Sequence, residues 1–143
     1  MIEFWFSRSL LCTSAEVFEQ IDNVRSLSRI KKGIRNFRIA RDEAGLQIVD
    51  VIFGFPYCNM MSRLRYATHP EKSCELKQIK GSFKEYVCLY TLKQSGLYTE
   101  LTVYLKIKFP YGPFGFLISK MLMPIVSLQL KSELGAIEKK LKQ

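Results

Sequence analysis

The chain has a single histidine, His69. That scarcity excludes much site chemistry: no Ser/His/Asp set and no two-histidine metal motif can be assembled. His69 also precedes Pro70 in a turn-like run, which reads as exposed. Cys12, Cys58, Cys74 and Cys88 form no CxxC pair, so a zinc site has little support and free buried thiols are expected. There is no phosphate-binding glycine loop, no pair of inward carboxylates, no internal repeat and no low-complexity stretch. Metal and cofactor are therefore expected to be absent. A bilayer span needs ~20 apolar residues in a continuous helix. The most apolar window, 109–128, holds three prolines, two glycines and a lysine, which argues against one. With no secretory leader before the first strand-like run, a cytoplasmic location is expected, peripheral to a membrane if the basic surface described below meets lipid.

What is present is a normal globular balance, 48% hydrophobic and 24% charged, over 143 residues. That length fits one domain, 1–143, with a core that needs no metal or disulfide. Ten Phe and seven Tyr supply large apolar area and suit the walls of a pocket. The net charge of +9 points to an anionic partner or surface without naming one.

Residues 2–9 read as a strand. Thr13-Ser14-Ala15-Glu16 is a capping box opening a short helix, with Val17, Phe18 and Ile21 inward. Asp22-Asn23 ends it and starts another, with Val24, Leu27 and Ile30 inward. From residue 34 the apolar period becomes two. Phe37 and Ile39 lead, followed by Val49, Val51 and Phe53, then Met60, Ser62, Leu64 and Tyr66, then Cys74, Leu76 and Gln78. Gly81 opens a strand to about Lys93, Gln94-Ser95-Gly96 turns, and residues 97–109 form the last strand. Register argued from the turns pairs Val51 with Ser62 and Val49 with Leu64. In the last hairpin it pairs Tyr90 with Leu101, Cys88 with Val103, Tyr86 with Leu105, and Glu85 with Lys106.

Residues 111–143 close the chain as its longest helical pattern. Val126, Leu130, Leu134, Ile137 and Leu141 make one stripe, which Phe116 and Met123 extend, while Glu133 and the lysines lie off it. Phe114, Leu117, Ile118, Met121, Ile125 and Leu128 form a second apolar face roughly opposite. Pro124 is expected to kink or break the helix, leaving residues 114–123 as a flap. The fold class is therefore α+β: a curved antiparallel sheet of about seven strands gripping one long C-terminal helix, with two short helices after the first strand.

In its positions the chain resembles the START-like, or helix-grip, superfamily. The resemblance rests on Thr13-Ser14-Ala15-Glu16-Val17-Phe18 after the first strand, Gly81-Ser82-Phe83 before the sixth, and the closing helix. START lipid-transfer domains, polyketide cyclases and coenzyme Q-binding proteins belong to that superfamily. The resemblance implies a hydrophobic cavity beneath the helix, and a lipid, quinone or polyketide-like ligand. A sheet packed shut would remove that carrier reading.

The inward positions expected to line a cavity are Phe37, Val51, Phe53, Leu64, Tyr66, Tyr86, Tyr90, Leu101, Val103, Met123, Ser127 and Leu130. The alternative is that they fill a solid core. Tyr66, Tyr86 and Tyr90 need partners if buried, and a polar ligand group or water would supply them. Arg25, Arg29, Lys31 and Lys32 begin an acid-free basic segment, read either as a solvated face or as contact with anionic lipid. Three functions stay open: a carrier of a hydrophobic small molecule, a cyclase-like enzyme, or a membrane-surface or partner-binding module. The third includes a homodimer through the apolar 114–128 face. Nucleic acid has no recognition signature here.

Overall fold

A computed structural model describes all residues except 32, 56, 57, 111, 142 and 143, and the side chain of Cys58. Lys32 therefore lies outside the described residues. The order is β1 (Ile2–Leu10), α1 (Ser14–Phe18), α2 (Val24–Ile30), β2 (Ile34–Glu43), β3 (Leu46–Phe55), β4 (Cys58–His69), β5 (Ser73–Gly81), β6 (Glu85–Ser95), β7 (Tyr98–Lys108) and α3 (Pro113–Leu141). The seven strands form one antiparallel sheet in the order β1-β7-β6-β5-β4-β3-β2.

The sheet is one-sided, as its period-two sequence requires. Val49, Val51 and Phe53 on β3 are buried, and so are Met60, Ser62, Leu64 and Tyr66 on β4. The β3–β4 register is the expected one, with Val51 opposite Ser62 and Val49 opposite Leu64. In the last hairpin Ser95 pairs with Tyr98, so Gly96-Leu97 forms the turn, with Gly96 at φ 60°. That moves every pair by two: Tyr90 faces Val103, Cys88 faces Leu105 and Tyr86 faces Ile107. A shift of two keeps each side chain on its face, so the inward set survives. Glu85 still reaches Lys106 diagonally, at 3.4 Å. Gly81 ends β5 instead of opening β6, and a side chain there would meet the Met61 carbonyl oxygen at 2.6 Å.

Both short helices start at the expected caps. Thr13 Oγ1 accepts from the Glu16 amide at 3.3 Å, and Asn23 Oδ1 accepts from the Ser26 amide at 3.0 Å. Gln47, inward on β3, accepts from the Val24 amide at 3.0 Å and ties α2 to the sheet.

α3 departs from expectation in two respects. It runs unbroken through Pro124, which stands on the exposed side. There the carbonyl freed by the missing proline N–H can meet solvent. Uninterrupted, α3 has the length and composition of a membrane-crossing helix, although its buried side packs on this chain's own sheet. The inward stripe is Gly115, Ser119, Leu122, Val126, Leu130, Glu133, Leu134 and Ile137. Phe116 and Met123, expected on that stripe, are exposed, because steps of four and three back from Val126 reach Leu122 and Ser119. The helix lies along β1: Ser119 meets the Met1 amine, Lys131 sits over the Phe6 ring, and Arg8 pairs with Glu138 at 3.1 Å.

Candidate functional site

Two groups of side chains fill the space between α3 and the sheet. Toward the N-terminal end of α3, Phe53, Phe55, Phe83, Tyr86 and Phe109 stack at centroid separations from 4.8 to 6.0 Å. Such ring pairs add stabilisation beyond their buried area.

Farther along, a polar cluster sits in the core. Lys31, the residue after α2, is only 5% exposed, and Glu133 on α3 only 3%. Lys31 Nζ donates to Glu133 Oε1 at 3.0 Å. The Tyr90 hydroxyl donates to Glu133 Oε2 at 3.0 Å. Lys31 also contacts Cys88 Sγ at 3.9 Å, and its charge acts on the nearby Tyr86 hydroxyl. Beside this cluster the Tyr66 hydroxyl donates to the Ile21 carbonyl. Protein groups thus satisfy Tyr66 and Tyr90, which together with Tyr86 were expected to turn to water or ligand. Lys31 is corrected from a surface lysine to the centre of a buried network, while Arg25 and Arg29 are exposed as expected.

The electrostatics follow from burial. Burial alone would drive the Lys31 ammonium toward neutrality, but Cys88, Glu133 and Tyr86 outweigh it and hold its pKa well above the ordinary value. Burial raises Tyr86 and Cys88 against the opposing pull of Lys31. It raises Tyr66 and Tyr90 too, and pushes the Cys74 thiol up to about 12. The lysine therefore stays cationic and the tyrosines and thiols stay protonated at neutral pH. Together they offer fixed positive charge and hydrogen-bond donors.

The cavity left beneath α3 is small, about 20 Å³, enough for roughly one water. Lys31, Phe53, Tyr86, Leu130 and Glu133 line it, and Gly33, Gly54 and Gln129 form its rim. The roomy cavity expected from the sequence is corrected: the ring cluster and the ion pair occupy it. Of the residues expected as lining, Phe53, Tyr86 and Leu130 reach the gap. Leu64, Tyr66, Tyr90, Leu101 and Val103 are buried in the core without lining it, and Ser127 is half-buried. Met123, 38% exposed, points away. Phe37 and Val51 border a separate open hollow of about 520 Å³ across β2–β5. Asp50 lies in that hollow, clamped by Arg63 at 2.8 and 3.0 Å and by Arg38 at 3.3 Å. The Arg63 hydrogen bond, more than any other contact, holds its carboxyl below the ordinary value. Among the described residues, no three His, Cys, Asp or Glu side chains converge as a metal site requires.

No protein-family model matches the sequence, and no curated protein matches it. Solved structures do. A Thermus thermophilus protein superposes with a TM-score of 0.83 at 14% identity, over 97% of this chain and 96% of that one. The Streptomyces aromatase/cyclase Zhui gives 0.78 at 12% identity, over 98% and 93%. A START superfamily protein from Mycobacterium smegmatis gives 0.74 at 15% identity, over 99% and 97%. This chain has the START-like helix-grip fold. At such identities the likeness fixes architecture alone, so the chemistry must come from this chain's own residues. Within this helix grip, Glu133 is the residue that sequence reasoning left off the inward stripe, and Lys31 the one it assigned to the surface. A signal was available: Glu133 is seven residues after Val126 and four before Ile137, and Lys31 is seven after Val24 and four after Leu27. Both spacings put the charge on a buried stripe.

Proposed function

We propose that this chain binds a hydrophobic small molecule carrying a neutral carbonyl or hydroxyl oxygen, between the sheet and α3. The observation that supports the reading is the buried Lys31–Glu133–Tyr90 cluster at an otherwise apolar gap. Burying such a pair stabilises a fold less than well-packed apolar side chains of similar size would, so its presence argues for use. The Cys88 sulfur is the weakest acceptor around Lys31, and a ligand oxygen would take its place. A neutral head fits better than an anion, because Glu133 already balances the lysine charge. The closed form, with only about 20 Å³, has no room for such a ligand, so a carrier that holds its ligand in a standing cavity is ruled out, and the binding we propose is coupled to separation of α3 from the strand ends at Gly33 and Gly54.

The test is native mass spectrometry of the purified protein, followed by titration with a long-chain methyl ketone, the matching alcohol and the matching carboxylate. We expect one equivalent of ketone or alcohol to bind, the carboxylate to bind less tightly, and Lys31→Met/Glu133→Leu/Tyr90→Phe to lose binding while folded. A folded wild-type protein that takes up none of the three ends the proposal. A cyclase-like reaction is the second reading, favoured by the fixed donors Lys31 and Tyr86, which could hold a developing enolate oxygen. Such a reaction would slow sharply in Tyr86→Phe, and an unchanged rate would remove it.

A further inference from the structure

The outer side of α3 carries an apolar surface that the ligand reading does not use. Phe114, Leu117, Met121 and Leu128 are 69%, 57%, 65% and 67% exposed. At 100° per residue they fall within a 60° arc, directly opposite the buried stripe, over ~21 Å of helix. Exposed apolar surface of this extent marks an interaction site. One of its borders is basic. Lys120 lies over the Phe116 ring at 4.7 Å, and Lys131 flanks the same side one stretch later. At the N-terminal end of α3 an open groove of about 490 Å³ joins Phe116 and Phe109 to Lys84 and Lys108. Residues 109–132 contain no acid, and Glu85, next to Lys84 in sequence, is paired with Lys106.

We infer that this face lies on the surface of a bilayer containing anionic phospholipid. The stripe enters the acyl boundary, and Lys84, Lys108 and Lys120 meet headgroup phosphates. Charge complementarity selects this occupant over a second copy of the chain. Two such faces brought together would supply lysines to lysines with no carboxylate from 109–132 between them, whereas phosphates satisfy all of them. Lys31, read from the sequence as a basic surface residue, is buried and supplies no charge to this face.

The experiment is flotation of the full chain with vesicles of phosphatidylcholine alone, or mixed with about one third phosphatidylglycerol, at low and physiological salt. We expect binding to the mixed vesicles at least tenfold stronger than to the neutral ones, and weakened by salt. Phe114→Ser/Leu117→Ser/Met121→Ser should lower it at least tenfold, and Lys84→Glu/Lys108→Glu should remove the preference for anionic lipid, both with unchanged circular dichroism. Equal or absent binding to the two vesicle types overturns the inference. So does a dimer in sedimentation velocity that the serine variant dissolves, or a vesicle-bound form that resists alkaline carbonate as a crossing helix would. Ligand uptake by the triple cluster variant is a separate readout, so either result can fail alone.

Discussion

Replacing Glu133 with glutamine would strand a charge in the core. Lys31 is 5% exposed, and the carboxylate 3.0 Å away is its only anionic partner among the described ion pairs. Removing one member of such a pair costs about 3–5 kcal/mol, because the survivor stays desolvated without compensation. For 143 residues the unfolding entropy is about 0.3 kcal/mol/K, so the midpoint should fall by roughly 10–17 °C. Lys31→Met should cost a similar amount by leaving Glu133 uncompensated. The triple variant Lys31→Met/Glu133→Leu/Tyr90→Phe removes the charges together with the hydroxyl that would lose its acceptor, and should return to within about 1 kcal/mol of wild type. Urea and thermal unfolding at neutral pH, followed by circular dichroism, measure all four proteins. A Glu133→Gln cost below about 1 kcal/mol would refute the reasoning, as would single losses that merely add up to the triple.

The remaining predictions use the same core. Tyr66, Tyr86, Tyr90 and Lys31 are all raised in the folded state. Their contribution is complete below the unfolded values near about 10 and is lost as pH rises through the folded ones. Urea stability should therefore stay level from neutral pH to about 8.5, decline as the unfolded thiols of Cys74 and Cys88 ionise, and decline more steeply above about 10, with these tyrosines ionising only as the fold is lost; tyrosinate absorbance showing them ionise near 10 in the folded state contradicts this. Cys74 and Cys88, both buried with raised pKa, should resist a thiol reagent at neutral pH until urea unfolds the chain, and fast native labelling at either mapped site would show that the core is open. Leu130→Ala should cost about 2–5 kcal/mol, while Leu117→Ala on the outer face should change stability by less than about 0.5 kcal/mol; equal losses would mean the helix is docked the other way round.

The architecture was legible because its signals are local and repeated. Val49, Val51 and Phe53 alternate with polar neighbours, and Thr13 and Asn23 sit where caps must be, so strand faces and helix starts followed from chemistry within a few residues. Register in the last hairpin was less legible, because Ser95-Gly96 and Gly96-Leu97 are both plausible turns around one glycine. The site was legible only in part. Tyr66, Tyr86 and Tyr90 were identifiable as inward, yet the partners of Tyr66 and Tyr90, the Ile21 carbonyl and Glu133, are 45 and 43 residues away in sequence. The period put Lys31 and Glu133 on buried stripes, but hydropathy assigned both to solvent. Only the fold brings the two charges together, and alone neither could be buried. The size of the cavity was not legible at all, since it depends on how Phe55, Phe83 and Phe109 stack across three connections.

On α3 the usual distribution is reversed at two places, with an ion pair inside and a bare apolar stripe outside. Stability alone would favour the opposite choice, an apolar residue at Glu133 and a polar one at Leu117. Local rules are most often broken where a protein acts, and these two departures are on one rigid element, Glu133 on one face and Leu128 on the other within two turns. Pro124 does not separate them: the helix is continuous, and the same element that carries the outer stripe carries the ion pair that fastens α3 over the gap. Both departures are thus carried by one element, and a double-mutant cycle between Leu117→Ser and Glu133→Gln measures their coupling: unfolding costs that simply add would show the two faces to be independent.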